Sequence, residues 1–261
     1  MYSADNLDKK IISDLISEND ISVSVFPSLP STNDFAKELA LDGAKEKTLI
    51  LAENQTAGRG RTGKQFFSPS GSGVYLSLIL CPVFSPSESY KITLSAAVAL
   101  CETLEVMGVS PSIKWVNDIF LGGRKVAGIL TEAKLNNTAE KISYAVLGVG
   151  INLYPPSGGF PDDISSIAGY IWEKPMNNRK NQLVALFINN FLKIYKNSFS
   201  NLIDDYRRRC FILGKKILVL KQGEKKSATA LNITDNGGLK IIFENGEEAV
   251  LDSGEISIKP L

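Results

Sequence analysis

The 261-residue chain contains no histidine. That absence excludes an imidazole general base, a Ser-His-Asp triad and any histidine-ligated zinc or haem. Cysteine is scarce as well. Cys81, Cys101 and Cys210 are odd in number, far apart and without a C-x-x-C pair, which argues against a disulfide framework and a tetrahedral metal site. They are expected to be buried thiols in a reducing compartment. Neither sign of charge prevails, since 29 Lys+Arg face 28 Asp+Glu for a net charge of +1, so no chain-wide field holds nucleic acid or an anionic membrane. Any anion must be caught by a local cluster. No apolar run approaches the roughly 18 residues of a membrane helix, and Lys9-Lys10 leads into Ile11-Ile12-Ser13-Asp14 rather than an apolar secretion core. A soluble, cytoplasmic protein is the expectation.

What is present is ordinary globular material, 44% hydrophobic and 22% charged. At roughly 150 residues per domain the length predicts one large domain with a small second one. Leu7, Ile11, Leu15 and Ile16 recur at helical spacing, and a strand follows at 22–26. Ser31, with Asp34 three positions on and Phe35, Ala36, Leu39 and Ala40 behind it, reads as the N-cap of a helix. Strands are expected at 48–52 and 74–80, and a long helix at 88–107. Strands at 113–115, 119–121, 125–132 and 142–153 follow, with Gly122-Gly123 as a hairpin turn, so the sheet should be mainly antiparallel. Pro155, Pro156, Gly158, Gly159 and Pro161 break the pattern before a helix at 181–199. Beyond Arg207-Arg208-Arg209, short β runs at 216–220, 227–233, 239–243, 248–251 and 256–259 alternate with the turns Gly237-Gly238, Asn245-Gly246 and Ser253-Gly254. These predict a small barrel appended to a larger α+β domain.

Three segments carry chemistry. In Glu53 to Lys64, Arg59, Arg61 and Lys64 fall within six positions among glycines, and no acid appears from there until Glu88. Glycines let backbone N–H groups approach a ligand, and arginine offers bidentate donors to carboxylate or phosphate. A flexible solvated loop is the plain alternative. The loop is not a Walker motif, because Gln65 follows Lys64 where a hydroxyl should hold magnesium. Gly58-Arg59-Gly60-Arg61-Thr62-Gly63 matches the dinucleotide spacing but lacks a following helix. The second segment, Lys114-Trp115-Val116-Asn117-Asp118, sets a cation, an amide and a carboxylate at a strand break, where Asn117-Asp118 also suits a β-turn. The third is Gly148 to Leu153, whose Asn152 in an apolar strand needs a structural partner, a ligand or magnesium.

In this order, and together with Ser31-Thr32-Asn33, these segments resemble the biotin protein ligases from about Val23 to the C-terminus. Ser31-Thr32-Asn33 is similar to that family's biotin-contacting S-T-N/Q, and Gly58 to Gly63 to its G-R-G-R-x-G adenylate loop. Lys114 to Asp118 is similar to K-W-P-N-D, and Lys125 to Glu132 to K-x-x-G-I-L-x-E. Val116 stands where proline is usual, Phe66 where tryptophan is common and Lys64 where arginine is frequent. Lipoate ligases share the fold, but their histidine-containing signatures are missing.

The resemblance implies an α+β fold, a mainly antiparallel mixed sheet with flanking helices as in class II synthetases, over residues 1–208, and an SH3-like barrel over 209–261. It implies ATP-dependent, AMP-forming ligation of biotin to a lysine of a carrier domain. Arg61, Lys125 and Asp118 would be catalytic. Biotin would be held by Ser31, Thr32, Asn33, Gln55, Arg59, Gly60, Arg61 and Lys125. ATP would be held by Arg59, Arg61, Lys114, Trp115, Asn117 and Asn152, with Asn152 assisting Mg2+. The 30 residues before Ser31 are too few for an N-terminal DNA-binding domain, so the monofunctional type is expected, with a homodimer open and neither nucleic acid nor membrane as partner. Three other readings remain: a lipoate-type ligase, a non-catalytic regulator, and a nucleic-acid module using 59–64 and 207–209.

Overall fold

Period-two alternation along the strands decides which face of the main sheet each residue serves. The structure is a computed structural model, described over residues 5–197, 199, 201–221, 224–252 and 255–258. Strands β1 (Ser22–Phe26), β2 (Thr48–Ala52), β3 (Gly73–Leu80), β4 (Ser112–Lys114), β5 (Asp118–Leu121), β6 (Arg124–Leu135) and β7 (Ile142–Asn152) form one sheet in the order β1-β2-β3-β7-β6-β5-β4. Only β1 and β2 pair in parallel; every other neighbouring pair is antiparallel. The expected mixed, mainly antiparallel sheet is therefore present. The helices are α1 (Lys9–Leu15), α2 (Thr32–Leu41), α3 (Tyr90–Val106), α4 (Asp162–Ser165), α5 (Arg179–Lys196) and α6 (Leu202–Arg209).

Leu49 and Leu51 of β2, Leu76 and Leu78 of β3, and Leu147, Val149 and Ile151 of β7 enter the main core beneath α1, α3, α5 and α6. The intervening Ile50, Ile79 and Val146 pack instead with Ala36 of α2 on the opposite face. Because of this alternation Ser77, Gly148, Gly150 and Asn152 share the α2 face, as do Gly128, Leu130 and Glu132 of β6. That face carries the cavity described below. Helix α2 starts as its sequence predicts, with the Ser31 hydroxyl accepting a hydrogen bond from the Asp34 amide at 3.3 Å.

The C-terminal strands β8 (Lys216–Lys221), β9 (Glu224–Ile233), β10 (Leu239–Phe243), β11 (Glu248–Leu251) and β12 (Glu255–Ile258) form a second, antiparallel sheet in the order β11-β10-β9-β8-β12. Its two outer strands, β11 and β12, do not pair among the described residues, so the expected barrel is observed as a five-stranded sheet. The predicted turn at Ser253-Gly254 and the strand residue Lys259 lie outside the described residues. Helix α6 was not expected. It buries only Leu202 and Tyr206, which gives periodicity two points to work with.

One cysteine also departs from expectation. Cys101 and Cys210 are buried, but Cys81 is exposed at the exit of β3, where the chain leaves the sheet. Burial pushes the Cys101 thiol up to about 12 and that of Cys210 to about 11, so neither forms thiolate at neutral pH. Cys81 is raised as well, by partial burial and then by Glu46, yet it alone of the three is accessible. A maleimide at pH 7.5 should therefore label one thiol in the native protein, and all three only in denaturant, as intact-mass measurement would show. Rapid native labelling of Cys101 or Cys210 would contradict the packing described here.

Candidate active site

A cavity of about 590 Å³ opens on the α2 face of the main sheet. Its floor is polar and interlocked. The Thr32 amide and hydroxyl both donate to Gln55 Oε1, at 2.8 and 3.0 Å, and Gln55 Nε2 donates to Ser68 Oγ at 2.9 Å. The Ser77 hydroxyl lies 2.6 Å from Asn33 Oδ1 and 2.9 Å from Thr32 Oγ1. Ser31, Thr32 and Asn33 are each at most 4% exposed, so their polar groups are held where water does not compete. The start of α2 places them there, and the segment after β2 brings Gln55 across.

Two glycines of β7 make room for this floor. A Cβ on Gly148 would lie 2.0 Å from Asn33 Oδ1, and one on Gly150 would lie 2.5 Å from the Phe66 ring. Both positions therefore require glycine because a side chain from another element occupies the space. Sequence reasoning singled out the segment for Asn152 and missed this. The available signal was two glycines spaced by two in an otherwise apolar strand.

The walls carry charge, distributed differently from expectation. Arg59 donates to Asp34 Oδ1 at 2.5 Å and lies 3.3 Å from Glu132 Oε1, so its cation is already compensated. Its own pKa is raised, chiefly by the Asp34 contact. Partial burial opposes ionisation of Asp34, but hydrogen bonds from Lys37 and Arg59 outweigh it and hold that carboxyl below the usual range. Lys125 and Asp118, expected as separate actors, form one ion pair at 2.5 Å. Arg61 donates to Asn117 Oδ1 at 3.1 Å and meets no carboxylate among the described residues. Asn117 Nδ2 donates to the Ile129 carbonyl at 2.9 Å, and its own carbonyl accepts from the Ile129 amide.

Of the remaining expected residues, Lys114 lines the cavity with its ammonium 5.8 Å from the Phe120 ring centre. Gly60 donates its amide to the Lys64 carbonyl at 2.7 Å, shaping the loop. Trp115 is 3% exposed, and its indole donates at 3.0 Å to the Gly237 carbonyl in the turn between β9 and β10 of the C-terminal sheet. Its ring nitrogen is therefore turned toward that sheet. Asn152 is buried, with Nδ2 donating to the Gly169 carbonyl at 3.0 Å, the structural partner that a buried amide needs. Asn152 offers the cavity one amide oxygen, Asp118 is engaged by Lys125, and no cluster of three acidic or thiol side chains occurs among the described residues. That donor set makes no all-protein cage, and a Mg2+ ion would be held there by one or two such oxygens, from Asp118, Asp163 or Asn152, together with substrate phosphates.

Sequence reasoning also missed the roof. The segment between β7 and α5, which carries α4, crosses the β5–β6 hairpin. The Lys125 amide donates to the Ile167 carbonyl and the Gly169 amide to the Lys125 carbonyl, both at 2.8 Å. Phe160 of this segment meets Phe67, at the end of the glycine-rich loop, edge to face with centroids 6.3 Å apart. Ile164 and Ile167 complete an apolar wall.

Comparison with known proteins places this cavity in context. Residues 25–152 match the biotin/lipoate A/B protein ligase family. The chain is 41% identical over 141 residues to the bifunctional ligase/repressor BirA of Bacillus subtilis, an alignment covering 54% of this chain and 43% of that protein. It is 28% identical over 233 residues to the biotin–[acetyl-CoA-carboxylase] ligase of Mycobacterium tuberculosis, covering 87% of this chain and 85% of that one. The chain thus spans under half the length of the first curated relatives it matches. Among solved structures, the biotin protein ligase of Aquifex aeolicus in complex with biotin and ATP superposes with a TM-score of 0.73 at 25% identity, covering 91% of this chain and 98% of that one. The matched region, just under half of the chain, runs from within β1 to the end of β7 and holds every cavity motif from Ser31 to Asn152, so over these residues the chain is similar to the biotin/lipoate A/B protein ligase family.

Proposed function

We propose that the protein activates biotin with ATP to biotinyl-5′-adenylate and then transfers the biotinyl group to a lysine of a carrier domain. The observation that carries this reading is one cavity in which a buried polar floor faces the Arg61–Asn117 and Lys125–Asp118 pairs. In the first step the biotin carboxylate oxygen attacks the α-phosphorus of ATP, the bond to the bridging oxygen breaks, and pyrophosphate leaves. In the second, the lysine nitrogen attacks the acyl carbonyl, AMP leaves with the acyl C–O electron pair, and the nitrogen loses a proton. Neither step needs a protein nucleophile or an imidazole.

The first step does need charge compensation, because two unit charges about 4 Å apart repel by roughly 4 kcal/mol at an effective dielectric of 20. Arg61, an expected cation that meets no carboxylate among the described residues, supplies it. Lys125 and Asp118 act as a pair: the ammonium faces the developing charge, and the carboxylate orients the incoming amine. Ser31, Thr32, Asn33 and Gln55 surround the ureido head within an apolar wall, and the roof of Phe160, Ile164 and Ile167 keeps water from the mixed anhydride. Mg2+ enters as the counter-ion of ATP, and no step is routed through a protein-held metal.

Residues 1–208 would house this chemistry and 209–261 the appended sheet, in the cytoplasm, with a homodimer left open for sedimentation to read. The nucleic-acid alternative loses support because Arg207, Arg208 and Arg209 are each paired with carboxylates. The deciding experiment is mass spectrometry of a biotin carrier domain incubated with the protein, ATP, magnesium and either biotin or lipoate. A biotinylated lysine supports the proposal. Lipoylation moves the substrate, and an unmodified carrier with no pyrophosphate exchange leaves a non-catalytic binding protein.

Gly148→Ala is expected to weaken biotin binding at least tenfold while the protein still melts cooperatively, because the new methyl group displaces the Asn33 amide. Titration calorimetry without ATP measures it, and unchanged affinity would show that Asn33 does not contact the ligand.

A further inference from the structure

We propose that Glu132 is a positioning residue: its carboxylate sets the orientation of the Asn33 amide in the cavity floor and ties that floor to the docked glycine-rich loop through Arg59. The inference rests on the biotin-activating reading and adds to it a determinant of specificity.

The geometry is convergent. Glu132 Oε2 accepts from Asn33 Nδ2 at 3.0 Å. Glu132 Oε1 accepts from Lys37 Nζ at 3.1 Å and lies 3.3 Å from Arg59. Lys37 and Arg59 are also shared with Asp34, at 2.7 and 2.5 Å. Two acids and two bases from α2, β6 and the loop thus form one compensated network, with Glu132 the member that reaches the floor.

A carboxylate only accepts hydrogen bonds, whereas an amide end both donates and accepts. Glu132 therefore fixes which end of Asn33 faces it. Nδ2 turns toward Glu132 and the Leu130 carbonyl, and Oδ1 is left to accept from Ser77 at 2.6 Å with a second lone pair available to a ligand. A floor that presents an acceptor selects a head group bearing N–H donors, such as a ureido ring, over one that has none, such as a dithiolane. A flipped Asn33 would present a donor to Ser77 and lose that selection. The same carboxylate, through Arg59, anchors one end of the loop, while Gln55 and Ser68 join the other end to Thr32. Loop and floor are consequently one hydrogen-bonded circuit.

The test uses the full chain with Glu132→Gln, which keeps size and one acceptor but adds a donor and removes the charge. Biotin affinity, measured by calorimetry without ATP, should fall about tenfold. Discrimination between biotin and lipoate should fall in the same proportion. Biotin should also protect the wild-type loop from trypsin at Arg59, Arg61 and Lys64, and protect the variant less. Arg59→Met added to Glu132→Gln should weaken biotin binding by less than a further twofold if both act through one contact. Wild-type affinity and protection in Glu132→Gln, or fully multiplicative effects in the double variant, would overturn the proposal. Should Glu132→Gln fail to melt cooperatively, Arg59→Met alone carries the test. Its biotin affinity should fall several-fold, and an unchanged value overturns the role. A wild-type chain that does not bind biotin would instead sink the proposed function, so the two failures are distinguishable.

Discussion

Arg61→Ala should turn a retentive cavity into a leaky one. Arg59 and Lys125 are each already matched with carboxylates, whereas Arg61 bonds the neutral amide of Asn117 and meets no carboxylate among the described residues. Its charge is therefore open to a phosphate. Removing a charge-assisted contact costs about 1.5 to 3 kcal/mol, which corresponds to roughly ten- to 150-fold faster loss of bound adenylate. Adenylate formation should slow as well, because Arg61 supplies its charge compensation, while the Lys125–Asp118 pair stays in place to sustain a residual rate. A rapid gel-filtration chase of labelled adenylate measures the dwell time, and release into solution should biotinylate bystander lysines on added proteins. Wild-type retention in Arg61→Ala would remove this residue from the phosphate site.

The second large effect concerns stability, away from the ligand. Lys180 is 1% exposed, and its ammonium meets Glu53 Oε2 at 2.6 Å. The other Glu53 oxygen accepts from the Leu7 amide at 2.5 Å. This ion pair joins α5, the N-terminal segment and the residue that opens the stretch leading to the glycine-rich loop. Desolvating two charges is expensive, so the pair adds little net stability over an apolar replacement, but stripping one partner leaves a bare charge in the core. Lys180→Met and Glu53→Gln should each cost about 3 to 5 kcal/mol and lower the melting temperature by roughly 6 to 20 °C for a chain of this size. The double variant should be more stable than the sum of the two losses predicts. Strict additivity in a thermal double-mutant cycle would show that the two groups do not depend on each other.

Much of the architecture was legible because its signals are local. Ser31 and Asp34 mark a helix start within four residues, and Gly122-Gly123 a hairpin within two. The long helix α3 and the strands from β5 to β7 lie within a residue or three of their expected bounds. The residues of the cavity motifs were legible too, and the fold brings them to one place. What was not legible is pairing across distance. Asn33 and Glu132 stand 99 positions apart, and neither shows in its own neighbourhood that it will meet the other. The same applies to Arg59, whose position among glycines suggests a free cation, whereas Asp34, on α2, neutralises it. Helix α4 has four residues and no apolar period of its own, so the roof over the cavity was read as a break in the chain. Exposure of Cys81 depends on where β3 ends against its neighbours, which strand propensity does not specify.

The bond from the Trp115 indole to the Gly237 carbonyl has a consequence for anyone dissecting the molecule. Arg207 makes a companion contact, donating to the Ile233 carbonyl at 2.8 Å. A fragment cut before Lys216 would remove the acceptors of both donors and uncover the Trp115 ring, which is 3% exposed in the full chain. Truncation would thus disturb the turn that carries Trp115 and Asn117 into β5 at Asp118 as surely as a mutation within it, and loss of activity in such a fragment would not by itself show that the removed part touches any substrate.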